Sequence, residues 1–158
     1  MNSDETQIRI GTQGRYRHRA FTIVGRSQLQ DEDASSWNEW YLLFDEGLPG
    51  WLSDGDGTTY AVTFETEIAE LDTLPAFESL RLDQELKLNR RYYDVSDLYI
   101  AVYAGADGDL PFDAEPGTEI PVADLAGSGK SCATIDYSET PPIVFIGENV
   151  DLEALRLA

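Results

Sequence analysis

Short runs in which large apolar residues alternate with polar ones recur along the chain, with turn residues between them. The clearest run, NEWYLLFDEG, places Trp40, Leu42 and Phe44 on one face of an extended segment. An Asp-Gly-rich turn (DGDG) follows WLS, and Tyr60 and Val62 then resume the alternation. Runs of this kind at short spacing predict a mostly β fold built from antiparallel strands.

The opening of the second half of the chain resembles the opening of the first at a constant offset of 72 residues. Ile8 corresponds to Leu80 and Phe21 to Tyr93, and in both segments a strand leads through a basic turn into a second strand. Any two β-hairpins share part of this pattern, so a chance likeness stands as the alternative to internal duplication. Gly25 ends the first of these strand runs in this interpretation.

A chain of 158 residues suits one domain, and we expect residues 1–158 to form a single one. The pattern predicts two related halves within it, residues 8–64 and 80–157, arranged as paired small barrels or as a sandwich. Residues 65–79 lose the alternation and carry apolar residues at roughly helical spacing before Pro75. This segment is predicted to be a short helical connector.

The chain is strongly acidic, with 30 Asp and Glu residues against 11 Lys and Arg and a formal charge of −19. Such a field repels the phosphate backbone of nucleic acids, so we expect no nucleic-acid partner. It attracts cations, basic proteins or polyamines. Solubility, including life at high salt, is the alternative explanation of the charge.

The sequence also predicts a cytoplasmic protein. No apolar stretch approaches the roughly 20 residues that span a bilayer, so we expect no direct membrane insertion. The opening MNSDETQ lacks the basic start and apolar core of a signal peptide. Cys132 is the only cysteine, which excludes an internal disulfide and fits a reducing compartment.

Catalytic motifs are missing from the sequence, and we predict neither enzymatic activity nor a cofactor. The only histidine, His18, is flanked by arginines that disfavour its protonated form and make it a poor base. The stretch AGSGKS is similar to a phosphate-binding loop, but Asp124 occupies the position at which that motif needs glycine.

Two acidic loops are weak candidates for binding a hard cation. Asp54 and Asp56 occupy the first and third positions of a calcium-loop template, and Asp107 and Asp109 lie in a second loop. The first loop has Thr59 where the template needs glycine. Hairpin turns explain both loops better, so no metal site is predicted.

Trp37, Trp40 and Trp51 allow two interpretations. Their alternating spacing favours the core, but they could also line a groove for a sugar or peptide. Together with a pair of carboxylates, such a groove would suit a hydrolase. With 30 acids in the chain, however, any choice of two carboxylates is uninformative.

Two predicted hairpin turns are basic in an otherwise acidic chain. We interpret them either as partners of the protein's own carboxylates or as a patch that docks an acidic protein partner. The residues concerned are Arg15, Arg17, His18, Arg19, Arg90 and Arg91.

The order and spacing of several motifs resemble the bacterial family named domain of unknown function 4178. They are G-x-x-G-x-Y with FTIVGR, WNEWYLLF, WLSD, YYDVSD, GDLPFDAEPG and DLAGSGKSCATIDYSETPPIVFIGENV, which together cover the chain from about Ile8 to Leu157. The resemblance implies no catalytic residue and no cofactor. It implies a cytosolic accessory module of a stress or envelope system.

The function expected from these observations is that of a non-enzymatic binding or accessory module with a protein partner. A cation or polyamine binder and a carboxylate-based hydrolase are the alternatives. The sequence does not indicate the oligomeric state.

Overall fold

The computed structural model describes residues 8–55 and 59–158, and these residues form ten strands of one antiparallel sheet. The strands are β1 (Gln13–Tyr16), β2 (Arg19–Gln30), β3 (Ser36–Phe44), β4 (Pro49–Ser53), β5 (Tyr60–Glu65), β6 (Glu85–Leu88), β7 (Arg91–Gly108), β8 (Glu119–Ala126), β9 (Ser131–Asp136) and β10 (Ile143–Val150). Short 3-10 turns occur at Asp45–Gly47, Leu71–Thr73, Phe77–Ser79 and Leu152–Leu155. The prediction of a mostly β, antiparallel fold is confirmed.

The sheet closes on itself. Its order is β1-β2-β3-β4-β5-β10-β9-β8-β7-β6, and β2 also pairs with β7 from Gly25–Gly108 to Gln30–Val102. Eight strands, β2 to β5 and β7 to β10, therefore form a ring, and β1 and β6 are hairpin partners of β2 and β7. All ten strands thus belong to one sheet, in which eight of them form the ring.

Gly25 does not end β2, which continues to Gln30. A Cβ atom at this position would overlap the carbonyl oxygen of Asp109, so the glycine permits the backbone following β7 to approach β2. The interpretation of Gly25 as a strand end is therefore wrong. Here the glycine marks a close crossing of two strands.

Each half of the sheet packs its large apolar side chains into a cluster of its own. The first cluster contains the fully buried Ile23, Leu42, Leu52 and Val62. The second contains the fully buried Leu88, Val95, Leu125 and Ile135. Because side chains alternate along a strand, the opposite faces of the same strands point to the centre of the ring.

The two hairpins that open the halves share backbone contacts at the offset of 72 residues. The amide of Gly11 donates to the carbonyl of Ile23 at 2.8 Å, and the amide of Asp83 donates to that of Val95 at 2.8 Å. Both strands after the turn also shift register directly after Ile23 and Val95. The division into related halves by duplication stays a prediction.

The connector between β5 and β6 holds two 3-10 turns and contributes Ile68 to the second apolar cluster. Asn89, in the β6–β7 turn, holds the connector in place: its amide donates to the side chain of Glu70, and its Nδ2 donates to the carbonyl of Glu67. The connector therefore covers the second half of the sheet.

Candidate functional site

The inward faces of the ring strands line a cavity of about 630 Å³. Its aromatic lining consists of Trp37, Trp51, Tyr99, Tyr103, Phe112 and Phe145. Its carboxyl lining consists of Asp31, Glu39, Asp97, Asp124 and Asp136. None of the described residues that line the cavity is Lys, Arg or His, so its wall combines aromatic surface with acid and no base.

The aromatic side chains of the cavity contact one another in two groups. Trp37 and Tyr99 pack edge to face with ring centroids 5.6 Å apart. Phe112, from the loop after β7, stacks on Trp51 at 5.8 Å and contacts Tyr103 at 5.6 Å. These contacts hold the rings in place and leave an aromatic wall of fixed shape.

Glu39 lies in the middle of β3 and accepts a hydrogen bond of 3.2 Å from Nε1 of Trp37. Burial raises the pKa of Glu39 to about 8, and the negative charges of Asp124 and Asp54 act in the same direction. The residue is half-buried and lines the cavity. At neutral pH Glu39 is therefore a mostly protonated acid on the cavity wall.

Asp124 lies on β8, and both of its carboxylate oxygens accept hydrogen bonds. The hydroxyl of Tyr99 donates to Oδ2 at 2.9 Å, and Oγ1 of Thr134 donates to Oδ1 at 3.0 Å. Burial raises the pKa of Asp124 to about 6, although both hydrogen bonds lower it. At neutral pH Asp124 is therefore mostly ionised.

The two carboxyl groups come from different strands of the ring, three steps apart through β2 and β7 and five steps apart in the other direction. Their donors, Trp37 and Tyr99, pack against each other. The groups still interact, since the charge of Asp124 raises the pKa of Glu39 and the charges of both raise the pKa of Tyr99, after burial as the main cause. One ligand in the cavity can therefore face both.

Cys132, on β9, also lines the cavity. Burial raises the pKa of its thiol to about 11, and the negative charges of Asp124 and Glu148 contribute further. The thiol therefore stays protonated at neutral pH, which is the wrong form for a nucleophile.

A family model described as Domain of unknown function (DUF4178) matches residues 9–152. The chain belongs to this family. The resemblance noted in the sequence is thereby confirmed over nearly the whole length of the DUF4178 chain. No curated protein matches the chain, and no solved structure does so.

The basic turns of the DUF4178 chain do not lie together. β2 and β7 run antiparallel and pair only through their later residues, so the β1–β2 and β6–β7 turns lie at opposite ends of this strand pair. Arg17 forms a bidentate ion pair with Glu148, at 3.0 and 2.8 Å, and Arg15 donates to the carbonyl of His18 at 3.3 Å. None of the six predicted docking residues lines the cavity (Arg15, Arg17, His18, Arg19, Arg90 and Arg91).

Three of the four weak cation candidates, Asp54, Asp107 and Asp109, form hydrogen bonds or an ion pair within the protein. Asp54 accepts hydrogen bonds from the amide and Nδ2 of Asn38 and from Nε1 of Trp40, at 2.6, 3.0 and 3.1 Å. Asp107 pairs with Arg26 at 2.6 Å. The amide of Asp109 donates to the carbonyl of Val24.

Asp56 lies outside the described residues. Within residues 8–55 and 59–158, no three His, Cys, Asp or Glu side chains are grouped closely enough to hold a metal ion. Nor do those residues contain a helix that is long and apolar enough to cross a membrane.

The tryptophans divide between core and cavity. Trp40 is 7% exposed and belongs to the first apolar cluster, as its spacing predicts. Trp37 and Trp51 are half-buried and line the cavity, and Trp37 also packs against a small apolar cluster that includes Leu29, so both interpretations hold in part for Trp37. Sequence reasoning missed Glu39 as a site residue, although its position between two tryptophans on a half-polar strand face was the available signal.

In the sequence, Asp124 is recognisable only as the residue that breaks a phosphate-loop motif. That motif falls on β8 and the turn that follows it, and Asp124 itself lies on the strand and faces the cavity. The signal for its role is the single carboxyl within the otherwise small and apolar stretch PVADLA.

Proposed function

We propose that the DUF4178 chain is a non-enzymatic binding protein whose ring cavity takes a small organic cation. The observation that carries the proposal is a cavity with aromatic and carboxyl walls in which no described lining residue is basic. Apolar, aromatic cavities with a few fixed polar groups are typical ligand sites. Aromatic faces attract cations through their quadrupoles, by about 0.5–2 kcal/mol for each contact.

Asp124 supplies the negative charge that such a ligand needs. It is mostly ionised at neutral pH, and Tyr99 and Thr134 hold its carboxylate in one orientation. Hydrogen bonds between an ammonium group and a carboxylate are roughly twice as strong as neutral ones. The net charge of −19 further attracts cations and repels anions before they reach the cavity.

The proposal omits catalysis because the nucleophile and base candidates are unsuited to it. His18, the only histidine, lies exposed in the β1–β2 turn, and Cys132 holds a protonated thiol. A nucleophilic mechanism needs a base within hydrogen-bond reach of the nucleophile. Binding requires only the shape and charge of the cavity.

The proposal is tested with butylamine and tetramethylammonium, titrated into the protein and followed by tryptophan fluorescence and calorimetry. Trp37 and Trp51 line the cavity, so saturable quenching is expected with both cations and none with butyrate. Asp124→Asn should weaken binding at least about tenfold. Asp94→Asn, which removes an exposed carboxylate outside the cavity lining, is the matched control. Equal effects of the cations and of sodium chloride would refute the proposal.

A carboxylate-based hydrolase is a second candidate, favoured by one observation. Glu39 and Asp124 share a cavity and differ in protonation at neutral pH, as an acid and a base do in glycoside hydrolysis. Incubation with a panel of nitrophenyl glycosides tests it. Turnover that Glu39→Gln and Asp124→Asn each abolish would support hydrolysis, and its absence over the panel would remove this candidate.

An accessory role with a protein partner, in the cytoplasm and without nucleic acid, belongs to the same proposal. The exposed basic turns support it, and their separation means that each turn is tested by itself. Capture from a lysate of the native host is compared for the Arg17→Glu/Arg19→Glu and Arg90→Glu/Arg91→Glu variants. A partner that both variants retain as the unaltered chain does would exclude docking through these turns.

A further inference from the structure

The cavity presents two carboxyl groups in different states. Asp124 on β8 accepts two hydrogen bonds and is mostly ionised at neutral pH. Glu39 on β3 accepts a hydrogen bond from Trp37, also interacts with the side chain of Ser53, and is mostly protonated. Since the two carboxyl groups come from different strands and have different donors, they are two separate positions for a positive charge inside one cavity.

We propose that the cavity binds a diamine, with one ammonium group at Asp124 and the other at Glu39, whose carboxyl group releases its proton to solvent on binding. This inference rests on the proposed function and goes further in naming a ligand with two charged ends. No covalent bond changes in the process. The proton of Glu39 leaves as the second ammonium group takes its place.

The surroundings of Glu39 favour this exchange. The charged groups that act on it are the carboxylates of Asp54, at the end of β4, and of Asp124 on β8, and both favour the protonated acid. The neighbouring phenol of Tyr99 is neutral, and no described lining residue is basic. An ammonium group placed there therefore adds a positive charge to a wall whose described residues carry none, and it stabilises the carboxylate.

The second charged end also removes a mismatch that a monoamine would leave. A monoamine satisfies Asp124 and leaves Glu39 as a protonated acid with no positive partner. A diamine converts that acid into a second ion pair between aromatic walls. The wall around Glu39 includes Trp37, which donates to its carboxyl group, and its neighbour across the strand pair, Ser53.

Titration calorimetry with diaminopropane, diaminobutane and diaminopentane, beside butylamine, distinguishes a diamine site from a site for a single ammonium group. One diamine of the series should bind at least about tenfold more tightly than butylamine. Glu39→Gln should remove that advantage and leave butylamine binding unchanged, whereas Asp124→Asn should weaken both ligands. Asp94→Asn is again the matched control for the loss of one acid.

Proton release gives a second measurement that needs no variant. Titrations in phosphate and in HEPES buffer, whose ionisation enthalpies differ, should show about one proton released per diamine at neutral pH and none per butylamine. If butylamine and the diamines bind equally and without proton release, the diamine inference fails and the cation site stands. If no amine binds, the proposed function fails with it.

Discussion

Replacing Glu39 by Gln should make the protein more stable at alkaline pH and remove a pH dependence that the native chain has. The ordinary pKa of this carboxyl group is 4.5, and burial raises it to about 8 in the folded protein. Between these pH values the unfolded chain has released the proton and the folded chain still holds it. The contribution of Glu39 to stability is therefore fully present below the unfolded pKa and is lost as pH rises through this window.

The size of the effect follows from linkage. Each pH unit inside the window lowers the free energy of unfolding by about 1.4 kcal/mol. From about pH 5 to about pH 8 this amounts to an upper value of about 4 kcal/mol, and because the Glu39 residue is only half-buried we expect about 2–4 kcal/mol. Gln has nearly the same shape as Glu and stays neutral. The stability of Glu39→Gln should therefore lack this pH-dependent loss.

Urea unfolding followed by tryptophan fluorescence, repeated from about pH 5 to about pH 8, measures this difference. The native chain contains many other carboxylates, but their contributions are common to both proteins and cancel in the comparison. Glu119→Gln, at an exposed position, is the control and should follow the native chain. If the stabilities of native chain and Glu39→Gln stay parallel over the range, Glu39 is not a buried acid and the description of the cavity wall is wrong.

Three further substitutions test the fold by the same urea unfolding measurement. Leu42→Ala removes a fully buried side chain from the first apolar cluster and should cost about 2–5 kcal/mol; a cost below about 1 kcal/mol would contradict that packing. Asp54→Ala leaves the donors of Asn38 and Trp40 without their acceptor and should cost about 2–3 kcal/mol, whereas an unchanged midpoint would mean that these bonds are not formed. Arg17→Ala breaks an ion pair whose arginine is 70% exposed and should leave the urea midpoint nearly unchanged, so a clear fall in the midpoint would show a structural role for this turn.

The strands were predictable because each is specified locally. Trp40, Leu42 and Phe44 recur at every second position, and that period holds whichever strand lies beside them. Closure of the ring was not predictable, because it depends on the pairing of Gly25 with Gly108, which no local pattern specifies. The glycine that permits this crossing carries the same sequence signal as a strand end.

The chemistry of the site was predictable only in part. The acidic charge pointed to cations, but it did not distinguish Asp124, which faces the cavity, from Asp94, which is exposed to solvent. That distinction requires the register of each strand and knowledge of what lies across from it. The basic turns stand out in the sequence because the chain has 11 Lys and Arg residues against 30 Asp and Glu residues, yet that imbalance says nothing about where a residue lies in a closed sheet.

The cavity results from how the apolar residues are distributed between the two faces of the sheet. Each half of the sheet buries its largest aliphatic side chains in a cluster of its own, on the faces that carry Leu42 and Leu125. The inward faces carry a smaller apolar cluster, which includes Leu29 and Val122, with polar and aromatic side chains such as Glu39 and Asp124 around it. Because these side chains do not fill the ring, closing it leaves a lined space beside that cluster. A carboxyl group on the wall of such a space is largely withdrawn from bulk water, which raises its pKa, and it still borders a space that a ligand can occupy.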